Sequence, residues 1–176
     1  MSKPLFTDSL IRELTGIIDR RGAGASGGPA PGAEDASGET EHGLEGCRVL
    51  IAEDMEINAE ILMDLLEMED IESEHAENGR LAVEMFNAKP LNWYDAVLMD
   101  VRMPVMDGLE ATRAIRELDR ADAKAVPIIA MTANAFDEDV QRSLQAGMTA
   151  HLSKPVEPER LYETLDKLIH AARQNP

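Results

Sequence analysis

The stretch Leu98-Met99-Asp100-Val101-Arg102-Met103-Pro104-Val105-Met106-Asp107-Gly108 decides how this chain is read. Residues 94–99 lead into it with an apolar run long enough for one buried strand. Asp100 stands at the carboxyl edge of that strand, before a loop holding Pro104 and Gly108 and an amphipathic helix expected over 109–118. In open parallel α/β sheets, ligands bind in the crevice outside the carboxyl ends of the strands. A carboxylate placed there needs a partner, because an unpaired buried charge is very costly.

Other strand ends supply partners. Residues 48–52 form a second apolar run ending in Glu53-Asp54, and 126–131 a third ending in Thr132-Ala133. A weaker fourth, 150–153, ends in Lys154-Pro155. A parallel sheet gathers these ends along one edge, so three carboxylates, a hydroxyl and an ammonium converge. Clustered carboxylates repel one another and are stable together around a cation. An all-oxygen set with room for water and phosphate suits Mg²⁺. With that metal bound, Asp100 can act as a nucleophile towards phosphorus, Thr132 can hydrogen-bond a phosphoryl oxygen, and Lys154 can neutralise another.

The ordered set Ile51-Ala52-Glu53-Asp54, Leu98-Met99-Asp100, Met103-Pro104, Asp107-Gly108, Met131-Thr132-Ala133-Asn134 and Ser153-Lys154-Pro155 resembles the receiver domain of two-component response regulators. The subtype is similar to receivers attached to hybrid sensor histidine kinases. The resemblance implies that Asp100 accepts a phosphoryl group from a phosphohistidine, on a histidine kinase or a histidine phosphotransfer domain. It implies Mg²⁺ held by Glu53, Asp54, Asp100 and the Arg102 backbone carbonyl. The phosphoryl group would be bound by Thr132, the Ala133 backbone N–H and Lys154, and Thr132 and His151 would form the switch. A cis Lys154–Pro155 bond is implied too. Such a domain would catalyse its own phosphorylation and dephosphorylation without being a stand-alone enzyme. The parent chain would be a hybrid histidine kinase with tandem receivers, and this piece cytoplasmic.

Two other readings stand beside this one. A Mg²⁺-dependent phosphohydrolase resembling the haloacid-dehalogenase family also uses an aspartate nucleophile, but needs an acid/base Asp two residues later, where this chain has Arg102. A degenerate receiver serving as a docking surface would not need the full chemical set.

The net charge of −17 argues against direct binding of nucleic acid or an anionic membrane. One cysteine, Cys47, excludes an intrachain disulfide. No apolar run is long enough for a membrane span. The 176 residues allow one domain with extensions, expected at 47–172 with a tail at 173–176. Residues 20–46, rich in Gly, Ala, Ser, Pro and Glu, read as a flexible linker with a reach of about 30 Å. Residues 1–19 carry Leu10, Leu14, Ile17 and Ile18 at helical spacing. Ser2-Lys3-Pro4 precedes that helix as Ser153-Lys154-Pro155 precedes the last one, so it is expected to be the remnant of a preceding receiver.

Strands and helices alternate through the rest, which predicts helices on both faces of a parallel sheet. Five strands and five helices resemble the flavodoxin-like doubly wound α/β fold, sheet order 2-1-3-4-5. A helix over 56–69 is expected to bury Ile57, Ile61, Leu62, Leu65 and Leu66, and 71–77 to be an edge strand. Further helices are expected over 80–88, 137–146 and 158–170, with Gly147 as a left-handed cap. Asp107 reads as a helix cap, Trp93 as a half-buried packing residue, and Glu53 or Asp54 as a possible cap of the helix that follows. His42, His75 and His170 read as surface residues. Met55 and His151 stand where this resemblance more often has a polar and an aromatic residue.

Overall fold

The computed structural model describes residues 43–133 and 137–175. The expected helix over 1–19 and the linker up to residue 42 lie outside the described residues. Residues 43–46, counted above with the linker, join the domain: Leu44 is buried in the core and the Gly46 N–H donates to the Asp70 carbonyl.

Five strands, β1 Arg48–Ala52, β2 Glu72–Ala76, β3 Ala96–Asp100, β4 Ile128–Thr132 and β5 Ala150–Ser153, form one parallel sheet in the order β2-β1-β3-β4-β5. The doubly wound topology and its strand order are as expected. The helices are α1 Glu56–Glu67, α2 Gly79–Ala88, α3 Gly108–Glu117, α4 Ala121–Ala125, α5 Asp137–Ala146 and α6 Pro158–Gln174. The short α4 makes six where five were expected. No described helix is long and apolar enough to cross a membrane.

The central strands are apolar on both faces because both are covered. Val49, Ile51, Leu98, Ile129 and Met131 pack with Leu62 and Leu66 of α1 and Leu161, Leu165 and Ile169 of α6. Their alternates Leu50, Val97, Met99 and Ile128 meet Phe86 of α2, Ile115 of α3 and Ala123 of α4. Each fully buried Leu, Ile or Phe contributes about 1.5–3 kcal/mol. That sum holds the strand ends in register and so positions the crevice.

Helix α1 is a partial exception to the expected pattern. It buries Ala59, Leu62 and Leu66, while Ile57 and Ile61 are 57% and 47% exposed. Neither Glu53 nor Asp54 caps it: the N-cap position is Met55, with no side-chain capping bond. Helix α3 is capped as expected, with Asp107 accepting from the Glu110 N–H and Glu110 accepting from the Asp107 N–H. Gly147 closes α5 at φ +107°.

Candidate functional site

Parallel register brings the ends of β1, β3, β4 and β5 to one edge. Glu53 is fully buried, Asp100 nearly so, and Asp54 exposed. One carboxylate oxygen from each lies within 4.8 Å of the others. This all-oxygen donor set, buried on one side and open on the other, fits a hard divalent cation. The Met55 N–H donates to Glu53 Oε1 at 3.1 Å, and the Arg102 N–H to Asp100 Oδ1 at 3.2 Å.

Lys154 spans the cluster. Its Nζ donates to Glu53 Oε2 at 2.7 Å and to Asp100 Oδ2 at 3.0 Å. Burial pushes the Asp100 carboxyl up to about 6; the Lys154 hydrogen bond opposes that shift and the Glu53 charge adds to it. Burial by itself would depress the Lys154 ammonium, but its bonds to Glu53 and Asp100 reverse this and leave it raised. The Lys154 N–H donates to the Thr132 carbonyl at 2.8 Å, which fixes the β5 end against β4. Thr132 is buried at that strand end, and Ala133 follows it, exposed. The Lys154–Pro155 bond is cis.

The β3–α3 loop folds back onto the strand end, with the Gly108 N–H donating to the Val101 carbonyl. A Cβ on Gly108 would stand 2.1 Å from the Asp100 carbonyl oxygen, so only glycine allows this approach. Within the loop the Met106 N–H donates to the Pro104 carbonyl at 2.8 Å, a γ-turn that holds Val105 at φ +70°. That hand of the turn is strained, most of all for a β-branched residue.

Six of the expected site residues, Glu53, Asp54, Asp100, Arg102, Thr132 and Lys154, thus meet at one edge. His151 sits on β5 beside Ala130 with its side chain exposed. His75 departs from the surface reading: half-buried, its Nε2 donates to the Glu53 carbonyl at 2.7 Å. Its partner is set by the lateral register of β2 against β1, which no local pattern reveals. His170 is exposed as expected, and His42 lies outside the described residues. Trp93 is half-buried under Arg48, whose guanidinium carbon is 4.1 Å from the ring centroid, and Lys89 at 5.0 Å.

A parallel five-stranded sheet with carboxylates and a lysine at its carboxyl edge defines a receiver. The chain belongs to the response regulator receiver domain family, which it matches over residues 49–166. It is 36% identical over 177 residues to the sensor protein GacS of Pseudomonas syringae pv. syringae, covering 99% of this chain and 18% of that one. The chain therefore spans less than a fifth of that sensor protein. It is similar to the receiver domain of sensor histidine kinase PA1611 from Pseudomonas aeruginosa PAO1, solved with magnesium coordinated in the active site cleft. That likeness has 37% identity and TM-score 0.64, covering 71% of this chain and 98% of the other. It also resembles the Saccharomyces cerevisiae complex of the histidine phosphotransfer protein Ypd1 with the receiver domain of its downstream response regulator Ssk1. There the values are 29% and TM-score 0.63, covering 71% and 90%.

Proposed function

We propose that Asp100 is the phosphoacceptor of this receiver and that its donor is a phosphohistidine. The observation that carries this is the convergence of Glu53, Asp54 and Asp100 under the Lys154 ammonium. Mg²⁺ would be held by Glu53, Asp54, Asp100 and the Arg102 carbonyl, and would neutralise charge on the transferring phosphoryl oxygens. An Asp100 carboxylate oxygen forms the new bond to phosphorus as the phosphorus–nitrogen bond breaks. The imidazole leaves with that electron pair and takes up a proton. Lys154 releases part of its hold on Asp100 and pairs with the phosphoryl group, while Thr132 and the Ala133 N–H bind its other oxygens. Transfer passes through a loose transition state, so positioning and charge neutralisation do most of the work. His151 then moves inward behind Thr132, converting the charge change into a packing change.

The donor's docking surface follows from the exposed apolar residues beside the crevice. Met55, at the N-cap of α1, and Ile57 and Ile61 within it lie exposed. A cavity of about 410 Å³ next to them is lined by Ile61, Leu62, Pro155 and Val156 and reaches Glu53 and Lys154. An apolar helix seated there would bring its histidine to the crevice, and the yeast phosphotransfer complex supports that partner class. The parent protein is proposed to be a hybrid histidine kinase. Titration with Mg²⁺ and beryllofluoride, followed by amide NMR, tests the site. Shifts centred on Asp100, Thr132, Lys154 and His151 are expected; shifts that leave Asp100 and Thr132 unmoved contradict it.

A further inference from the structure

The crevice has a second, open side. A cavity of about 500 Å³ there is lined by Asp54, Arg102, Pro104 and Asp107 and, from α5, by Arg142. Lys154 lines the other cavity, with Glu53. Arg142 and Arg102 are both exposed, and among the described residues neither forms an ion pair. Asp107 is engaged in the α3 capping box. A guanidinium facing the same cavity as Asp54 opposes a divalent cation by like charge. On a chain with 34 acidic and 17 basic residues, a cation here is not the product of a generally basic surface.

An anion entering the same cavity would be attracted by it. We propose that Arg142 recognises the dianionic phosphate of the incoming donor at the mouth of the crevice. This rests on the phosphoacceptor reading above and adds a recognition residue from α5. A guanidinium suits the task because its fork of N–H donors matches phosphate oxygens and its charge persists at any working pH. Arg142 lies on the side of the crevice away from the apolar docking surface, so it acts on the encounter and orientation of the phosphate that the donor brings in. A small acyl phosphate and a nitrogen-bound phosphoryl group present the same dianion.

The test compares wild type with Arg142→Gln and Arg142→Lys, using acetyl phosphate and phosphoramidate as donors. Arg142→Gln is expected to lower the second-order rate of Asp100 labelling about two- to fivefold with both, and Arg142→Lys to retain most of it. The deficit should shrink near 1 M salt, where the screening length falls to about 3 Å. Mg²⁺ should bind about twofold tighter to Arg142→Gln, because a like charge has been removed. A loss with acetyl phosphate alone overturns the proposal, because the nitrogen-bound donor carries the same dianion. Unchanged labelling in Arg142→Gln overturns the proposal. So does a joint loss of labelling and Mg²⁺ affinity, which would mark a helix-packing defect. Labelling that persists in Asp100→Asn brings down the phosphoacceptor reading itself.

Discussion

Lys154 Nζ lies 2.7 Å from Glu53 Oε2, joining residues 101 positions apart in the chain. The same ammonium reaches Asp100, so it occupies carboxylate oxygens that a metal also needs. Lys154→Ala is therefore expected to bind Mg²⁺ more tightly while responding more weakly to beryllofluoride. The magnitude of the Mg²⁺ effect is about 1 kcal/mol for one partly buried charge contact. Parallel titrations by amide NMR read both quantities. An equal loss of both would show that Lys154 holds the metal site together instead of serving the phosphoryl group.

Asp100 gives the domain an unusual pH response. Burial pushes its carboxyl up to about 6 in the fold, against an ordinary 3.8. Between these values the folded state binds more protons than the unfolded one, so this group's contribution to stability falls as pH rises from about 4 to about 6. Mg²⁺ favours the ionised form, so metal affinity should rise over the same window. Asp100→Asn should stabilise the metal-free domain at pH 7 by about 1–2 kcal/mol, the lost Lys154 contact offsetting part of the gain. Urea unfolding at pH 4 and pH 7, without metal, is the check. A variant less stable than wild type at both would contradict the assignment.

Arg120 braces the opposite end of the molecule. Its guanidinium donates to both Asp122 oxygens and to the carbonyls of Phe86, Asn87, Lys89 and Pro90, while Asp122 accepts the Asn92 N–H. Arg120→Ala leaves Asp122 buried and unpaired, which costs about 3 kcal/mol. Burial alone would raise the Asp122 carboxyl, but the Arg120 bonds outweigh it and hold the carboxyl below 3.8. That stability is present above about pH 4 and lost as pH falls further. The acid limb of a stability–pH curve should accordingly flatten in Arg120→Ala.

Val105 offers a gain. Held at φ +70° and exposed, its side chain makes no compensating burial. Val105→Gly should relieve about 1 kcal/mol of strain net of the added chain entropy. Denaturant midpoints decide it, and a lower midpoint would mean that the Val105 side chain contributes packing after all.

Much of this was legible because two-sided burial writes itself into the sequence as continuous apolar runs, as in Leu50–Ile51 or Ile128–Ile129. Chemical residues directly after those runs could only gather at one edge. Less visible was how much of an apolar arc each helix buries: Ile57 and Ile61 share the period of Leu62 and Leu66 yet face outward. Helix α4, Ala-Asp-Ala-Lys-Ala, has no apolar period at all and is held by Ala123 and the Arg120–Asp122 pair. The His75–Glu53 and Lys154–Glu53 bonds depend on which strands lie side by side. Arg142 was invisible because its role comes from the placement of α5 over the crevice mouth.

The central claim is that Asp100 carries the phosphoryl group. The most direct measurement is intact mass spectrometry of the whole chain after incubation with acetyl phosphate and Mg²⁺. One phosphoryl group is expected, dependent on Mg²⁺, labile to hydroxylamine as an acyl phosphate, and absent from Asp100→Asn. Undiminished labelling of Asp100→Asn, or labelling that ignores Mg²⁺, would contradict the account.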